Sequence, residues 1–219
     1  MQRLRLKFGR FKPLHFLSHL DMLRMWERIF RRALIPISYS DGFTPRPKIS
    51  IAVPLAIGMT SEYELMDIWL SEMMSVIELE NEIQAQLPDG LIIYDIHDVE
   101  NNGPALQSLL LHAEYDVIQH TDRQREDIQT SIKCLLAKEE LSWHHARGEK
   151  THYYDLRKLV DSVWIIDYQT GKCVLGMRLL CGDKGSGRPE QVIRALNFDS
   201  YPESIHRNRL IIQDIIDSN

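Results

Sequence analysis

The sequence predicts an α+β fold with antiparallel sheets in two tandem halves, and three observations carry that expectation. Alternating and helical hydrophobic periods follow one another in the order strand, helix, strand, strand, helix, strand, and then in a similar order again. Capping boxes open three of the helical stretches, at Ser18 with Asp21, Ser75 with Glu78 and Thr121 with Gln124. Between the halves stands Asn101-Asn102-Gly103-Pro104, a run of turn formers. Such an element order is that of the ferredoxin-like, split βαβ arrangement. The expected division is residues 1–100, a linker over 101–112, and residues 113–219.

In the first half, Leu4, Leu6 and Phe8 alternate with Arg3, Arg5 and Lys7, which predicts a half-buried strand with a basic outer face. A helix over about 19–34 follows, with an apolar stripe of Leu20, Leu23, Trp26 or Glu27, Phe30 and Leu34. Residues 35–39 are a short extended piece, and Pro36 suits them to an edge. After a loop reading DGFTPRP, Ile49, Ile51 and Val53 alternate until Pro54 stops the run. Residues 62–70 read as a strand. A helix carrying Ile77, Ile83 and Leu87 ends at Pro88-Asp89-Gly90, and residues 91–96 form the closing strand.

In the second half, residues 113–118 are the first strand, and Thr121 opens a helix carrying Ile128, Ile132, Leu135 and Leu136. Residues 141–145, 163–166 and 173–180 read as strands, the last two joined across the turn at 168–171. Pro189 suits the first turn of a helix through Val192, Ile193 and Leu196, and residues 205–212 are the last strand.

Charge is distributed unevenly. Residues 1–60 carry 11 lysines and arginines against three acids, while the rest carries 15 against 28, for a net charge of −5. A basic head on an acidic body points to an anionic partner on one side. The three cysteines, Cys134, Cys173 and Cys181, form no CxxC pair, which argues against a disulfide framework and a thiolate zinc site. The start, MQRLRLKF, has charges where a signal peptide would be apolar, and no apolar run approaches a membrane span. A cytoplasmic location is expected, with no membrane contact, no metal site and no cofactor.

Two stretches offer anion chemistry. Arg24, Arg28 and Arg31 gather near one helix face, and the following loop presents Tyr39, Phe43, Arg46 and Lys48 between prolines. Fixed cations contact phosphates, and rings beside them stack unpaired bases. The competing reading packs the rings internally and pairs the arginines with carboxylates. The second stretch, Gly182 to Pro189, is a glycine-rich run into a helix start, with Lys184, Gly185, Gly187 and Arg188 as candidate anion contacts. It lacks the GK[ST] of a Walker loop and serves equally as a plain connection. His19 with Asp21 is the one candidate acid–base pair.

Residues 16–58 strongly resemble the signature of the radical SAM-linked proteins. These are a bacterial family of unknown function, often fused to or encoded beside a cobalamin-type radical SAM protein. The segments SHLD, YSxGFxPRPKIS and PLxxGxxSEYE match at Ser18–Asp21, Tyr39–Ser50 and Pro54–Glu64. LRKLV at 156–160 and GSGRPEQVIRAL at 185–196 also resemble family segments. The resemblance implies a radical SAM protein as partner and carries no established activity. The CxxxCxxC cluster motif of radical SAM enzymes is missing from this chain.

Together these features lead to an accessory protein without catalysis of its own, which binds RNA through its basic N-terminal surface and presents it to a radical SAM modification enzyme. Two alternatives stand beside it. One is a metal-independent RNA-processing endonuclease of the RAMP type, with His19 as general base. The other is a protein-docking module for the radical SAM partner.

Overall fold

The computed structural model describes residues 1–147, 150–183 and 185–213. The chain divides into two compact units, Met1–Leu109 and Leu110–Asn219, each a mixture of helices and antiparallel sheet.

The first unit runs β1 (Gln2–Arg10), α1 (His19–Arg32), β2 (Ile49–Ile51), β3 (Thr60–Leu70), α2 (Val76–Gln84) and β4 (Leu91–Val99). Its strands lie in the order β4-β1-β3-β2, and every neighbouring pair is antiparallel. The alternation of β1 buries Leu4, Leu6 and Phe8 in one core with Trp26, Ile29 and Phe30 of α1 and Leu79 and Ile83 of α2. Phe8 meets Trp26 edge-on at 5.1 Å between ring centres, and Trp26 stacks on Phe30 at 5.4 Å. Each such side chain contributes roughly 1.5–3 kcal/mol on burial.

Two expectations for this unit are corrected. The buried stripe of α1 is Met22, Trp26, Ile29 and Phe30, whereas Leu20 and Leu34 are exposed. Trp26 and Phe30 stand in the core as expected and Leu23 packs against it, and the apolar face extends to Met22 and Ile29 instead of to Leu20. On α2, Ile77 is likewise exposed, and the helix stops at Gln84.

The outer face of β1 is not solvated either. Arg3 and Arg5 are buried, and both bind the carboxylate of Asp67, which has no exposed surface. Arg5 stands opposite Asp67 in the β1–β3 register, and Arg3 stands opposite Trp69, with its guanidinium 5.1 Å from the indole centre. Lys7 is half-buried, its ammonium 3.9 Å from the Tyr63 ring centre. Residues 100–107 cover this face. Arg3 donates to the carbonyls of Glu100 (3.1 Å), Gly103 (3.0 Å) and Pro104 (2.9 Å), and Gln107 donates to Ser50 Oγ and the Ile51 carbonyl.

The second unit runs β5 (Leu110–Thr121), α3 (Arg125–Leu136), β6 (Ser142–Arg147), β7 (Lys150–Asp155), β8 (Val160–Gln169), β9 (Gly171–Leu180), α4 (Pro189–Ala195) and β10 (Ser204–Ile212). The order is β10-β5-β9-β8, again with antiparallel neighbours. The strand expected at 141–145 lies outside this sheet, since β6 pairs with β7 as a separate hairpin. Thr121 does not cap α3. Its hydroxyl accepts from Arg123 N–H at 3.1 Å, and the cap position falls to Gln124. Opposite Gly176, the Trp164 indole lies so close that a Cβ on the glycine would come within 2.1 Å of it. Cys173 is buried in this unit, and burial pushes its thiol up to about 11, so it stays protonated. Among the described residues, no helix is long and apolar enough to cross a membrane.

Candidate nucleic-acid interface

Helix α1 starts at a fixed point. The Ser18 hydroxyl accepts from Asp21 N–H (3.2 Å) and donates to its carboxylate (2.7 Å). That hydroxyl, and Arg24 after it, hold the Asp21 carboxyl below its ordinary value. The helix ends as firmly, with Ile35 N–H bonded to Phe30 O at 3.0 Å and Leu34 in the left-handed region at φ 54°.

Between those ends, Arg24, Arg28 and Arg31 are all exposed. At 3.6 residues per turn they fall within roughly 60° of arc. Arg24 makes a loose contact of 3.5 Å with Asp21. Among the described residues no carboxylate pairs with Arg28, Arg31 or Arg46. Leu20 is exposed on the same outer side of the helix, and Leu34, past its end, is exposed beside Arg31.

The loop after α1 is pinched at its base. Ser40 N–H donates to Arg46 O (2.8 Å), Arg46 N–H to Ser40 Oγ (3.0 Å) and Lys48 N–H to Ser38 O (2.8 Å). It is tied to the end of β3 through Ser38 N–H to Trp69 O (2.7 Å) and Trp69 N–H to Lys48 O (3.2 Å). Gly42, at φ 121°, makes the turn at the tip. Phe43 beside it is wholly exposed, Tyr39 and Arg46 are exposed, and Lys48 is half-buried. The loop and the end of α1 meet, because Arg31, Leu34, Tyr39 and Pro47 line one cavity of about 360 Å³.

His19 and Asp21 are placed differently from one another. Asp21 is exposed and engaged in the helix cap. His19 is half-buried and lines a cavity of about 10 Å³, with room for one water, together with Arg10 and Glu64. Arg10 donates to the carbonyls of Leu17 (3.3 Å), Ala56 (2.8 Å) and Met59 (3.0 Å), and Gly58 N–H donates to His15 O (2.7 Å). The segments at 18–21 and 54–64 therefore converge on the end of β1. Neither Arg10 nor Glu64 stood out in the sequence. The signal available was Glu64 closing the SEYE segment.

The glycine-rich run lies in the second unit. Gly185 N–H donates to Gly182 O (3.1 Å) and Gly187 N–H to Leu180 O at the end of β9 (2.9 Å), so one of its donors is used within the loop and another on the strand before it. Pro189 brings no N–H to the start of α4, and Gln191 N–H donates to Arg188 O (3.0 Å). Gly185 and Arg188 line a cavity of about 640 Å³ with Tyr154 and Gln191. Lys184 lies outside the described residues.

Residues 3–189 match the family described as an uncharacterised protein conserved in bacteria, DUF2344. No curated protein matches the sequence. The fold is similar to part of a solved Cbf5-Nop10-Gar1 complex, at 11% identity and a TM-score of 0.53, over 95% of this chain and 50% of that one. An archaeal box H/ACA Nop10-Cbf5 complex (13% identity, TM-score 0.48) and an H/ACA RNP bound to a substrate RNA (11%, 0.49) also match over 95% of this chain. Each covers 49% of the solved chain, so this protein spans about half the length of the structures it resembles.

Proposed function

As the chain belongs to the DUF2344 family of uncharacterised bacterial proteins, we propose that it binds RNA. The arginine face of α1 would contact phosphates, and Phe43 and Tyr39 would stack unpaired bases. The observation that carries this reading is the row of Arg24, Arg28 and Arg31. These are three exposed cations on one rigid, capped helix, abutting a pinched loop that holds Phe43 clear of the protein. Guanidinium groups fixed in array suit phosphate oxygens, and a ring exposed on both faces suits a base. Arg46 extends the cationic surface along the loop, and Lys48 holds its base. His19 lies in a one-water cavity with Arg10 and Glu64, apart from the arginine row and the loop that carry this reading.

The partner carried over from the resemblance is a radical SAM protein, to which the bound RNA would be presented. Both units also follow one plan, the tandem ferredoxin-like split βαβ. The support is their shared strand order, fourth-first-third-second with antiparallel neighbours. A second reading, protein docking, is favoured by Leu20 and Leu34, two exposed leucines beside the same arginines. The experiment is RNA affinity of the wild type against Arg28→Ala/Arg31→Ala and Phe43→Ala. Loss in both variants supports RNA binding, and no RNA binding by the wild type leaves the docking surface.

A further inference from the structure

The cavity of the second unit has no part in the arginine face and lies where the segments at 156–160 and 185–196 meet. We propose that it is a binding site for a nucleoside monophosphate group, either a free nucleotide or one unpaired residue of an RNA. Its volume of about 640 Å³ is that of a small-molecule site.

The walls are set before any ligand arrives. A Cβ at Gly187 would sit 2.7 Å from the Leu159 carbonyl, so only glycine lets the loop pack against the turn at Arg157–Leu159. Gly185, at φ 127°, turns the loop beside it. Asp155 is fixed on the other side, its Oδ1 accepting from the N–H groups of Leu141 (2.8 Å) and Arg157 (3.0 Å). Lys158 stands 3.6 Å from its Oδ2 and balances that charge.

Arg188 therefore remains as the cation whose charge is not spent. It is exposed, and among the described residues it has no ion pair. Gln191 supplies the buried polar group. It is 9% exposed, and its Oε1 accepts from the Tyr154 hydroxyl at 2.7 Å, which leaves its amide N–H₂ as a donor in the cavity wall. Burial raises Tyr154 above the ordinary phenol value, which keeps that hydroxyl protonated and donating. At the rim, Tyr153 is 76% exposed and offers a ring. Donors within, one free guanidinium and an aromatic rim select an anion that carries a flat ring. A bare anion would not use Tyr153, and a neutral ring would not use Arg188.

The test is titration of the whole protein with AMP, GMP, CMP and UMP, with inorganic phosphate, with the matching nucleosides, and with a short unstructured oligoribonucleotide. Arg188→Ala and Tyr153→Ala replace exposed side chains, so folding is not at stake. Saturable binding of at least one monophosphate is expected. It should fall by about tenfold, or about 1.4 kcal/mol, in Arg188→Ala. Tyr153→Ala should weaken nucleotides and leave inorganic phosphate unchanged, and Arg28→Ala/Arg31→Ala should leave mononucleotide binding unchanged. Binding of mononucleotides assigns the site to a free nucleotide, and binding of the oligonucleotide alone, kept in Arg28→Ala/Arg31→Ala and lost in Arg188→Ala, assigns it to an RNA residue. Absence of both, or equal affinity in Arg188→Ala and Tyr153→Ala, overturns the proposal. Because the arginine-face variant is read separately, failure here and failure of RNA binding at α1 are distinct results.

Discussion

Arg3 and Asp67 are joined at 2.6 Å inside the first unit, with 3% and 0% of their side chains exposed. Asp67 also binds Arg5 at 2.8 Å, so one carboxylate serves two buried guanidinium groups. The residual positive charge is met by backbone carbonyls of the turn at 100–104, which Arg3 holds against the sheet. The same residues thus satisfy a buried charge and seat the end of the unit.

Removing the shared anion should be costly. Asp67→Ala leaves two buried cations uncompensated and is expected to lower unfolding stability by roughly 3–5 kcal/mol. Urea denaturation measures this. A loss below about 1 kcal/mol would show that water reaches the pair in solution.

Asp21 gives a pH signature confined to acid. Its carboxyl is held below the ordinary value, first by the Ser18 hydroxyl and then by Arg24. Its contribution is therefore present above the unfolded-state value and lost as pH falls through the depressed one. The first turn of α1 should loosen only in that window, read as faster exchange of the Met22 amide. Ser18→Ala should move the Asp21 titration up towards the ordinary value. An unchanged titration would exclude the capping hydroxyl as its cause.

Leu34 tests the end of the helix. It holds a left-handed backbone, φ 54°, with its side chain 86% exposed, at a position where glycine is the unstrained choice. Leu34→Gly is expected to raise stability by about 1 kcal/mol, measured by thermal unfolding. A loss of stability would show that the side chain packs in solution.

Much of the fold was legible because it rests on local rules. The alternation of β1, the Ser18 and Ser75 caps and Pro189 at the start of α4 each act within a few residues, and each stands in the structure. What the sequence hid depends on contacts far along the chain. Arg3 and Arg5 read as a solvated face because Asp67 and residues 100–104 are remote in sequence. Burial removes both from the basic surface that the charge asymmetry suggested. The α1 stripe was legible in Leu23, Trp26 and Phe30, which face the core, and was misplaced at its edge, because Leu20 matches the helical period as well as Met22 and Ile29 do. For the arginines of α1 and for Phe43, spacing and turn formers left exposure and internal packing both open, and the structure places these side chains outside. The convergence of Arg10, His19 and Glu64, and the cavity beside Gln191, arise only from tertiary packing.

The central claim is that the exposed arginines of α1 contact phosphate. The most direct measurement is the affinity of a hairpin RNA with an unpaired loop, titrated against salt for the wild type, Arg28→Ala, Arg31→Ala and the double variant. The expected result is a linear fall of log affinity with log salt, with the slope reduced by about 1 for each arginine removed. Phe43→Ala should cost roughly 1–3 kcal/mol, if it stacks one base, without changing that slope. A flat salt response, or arginine variants that bind with the wild-type slope, would contradict the account.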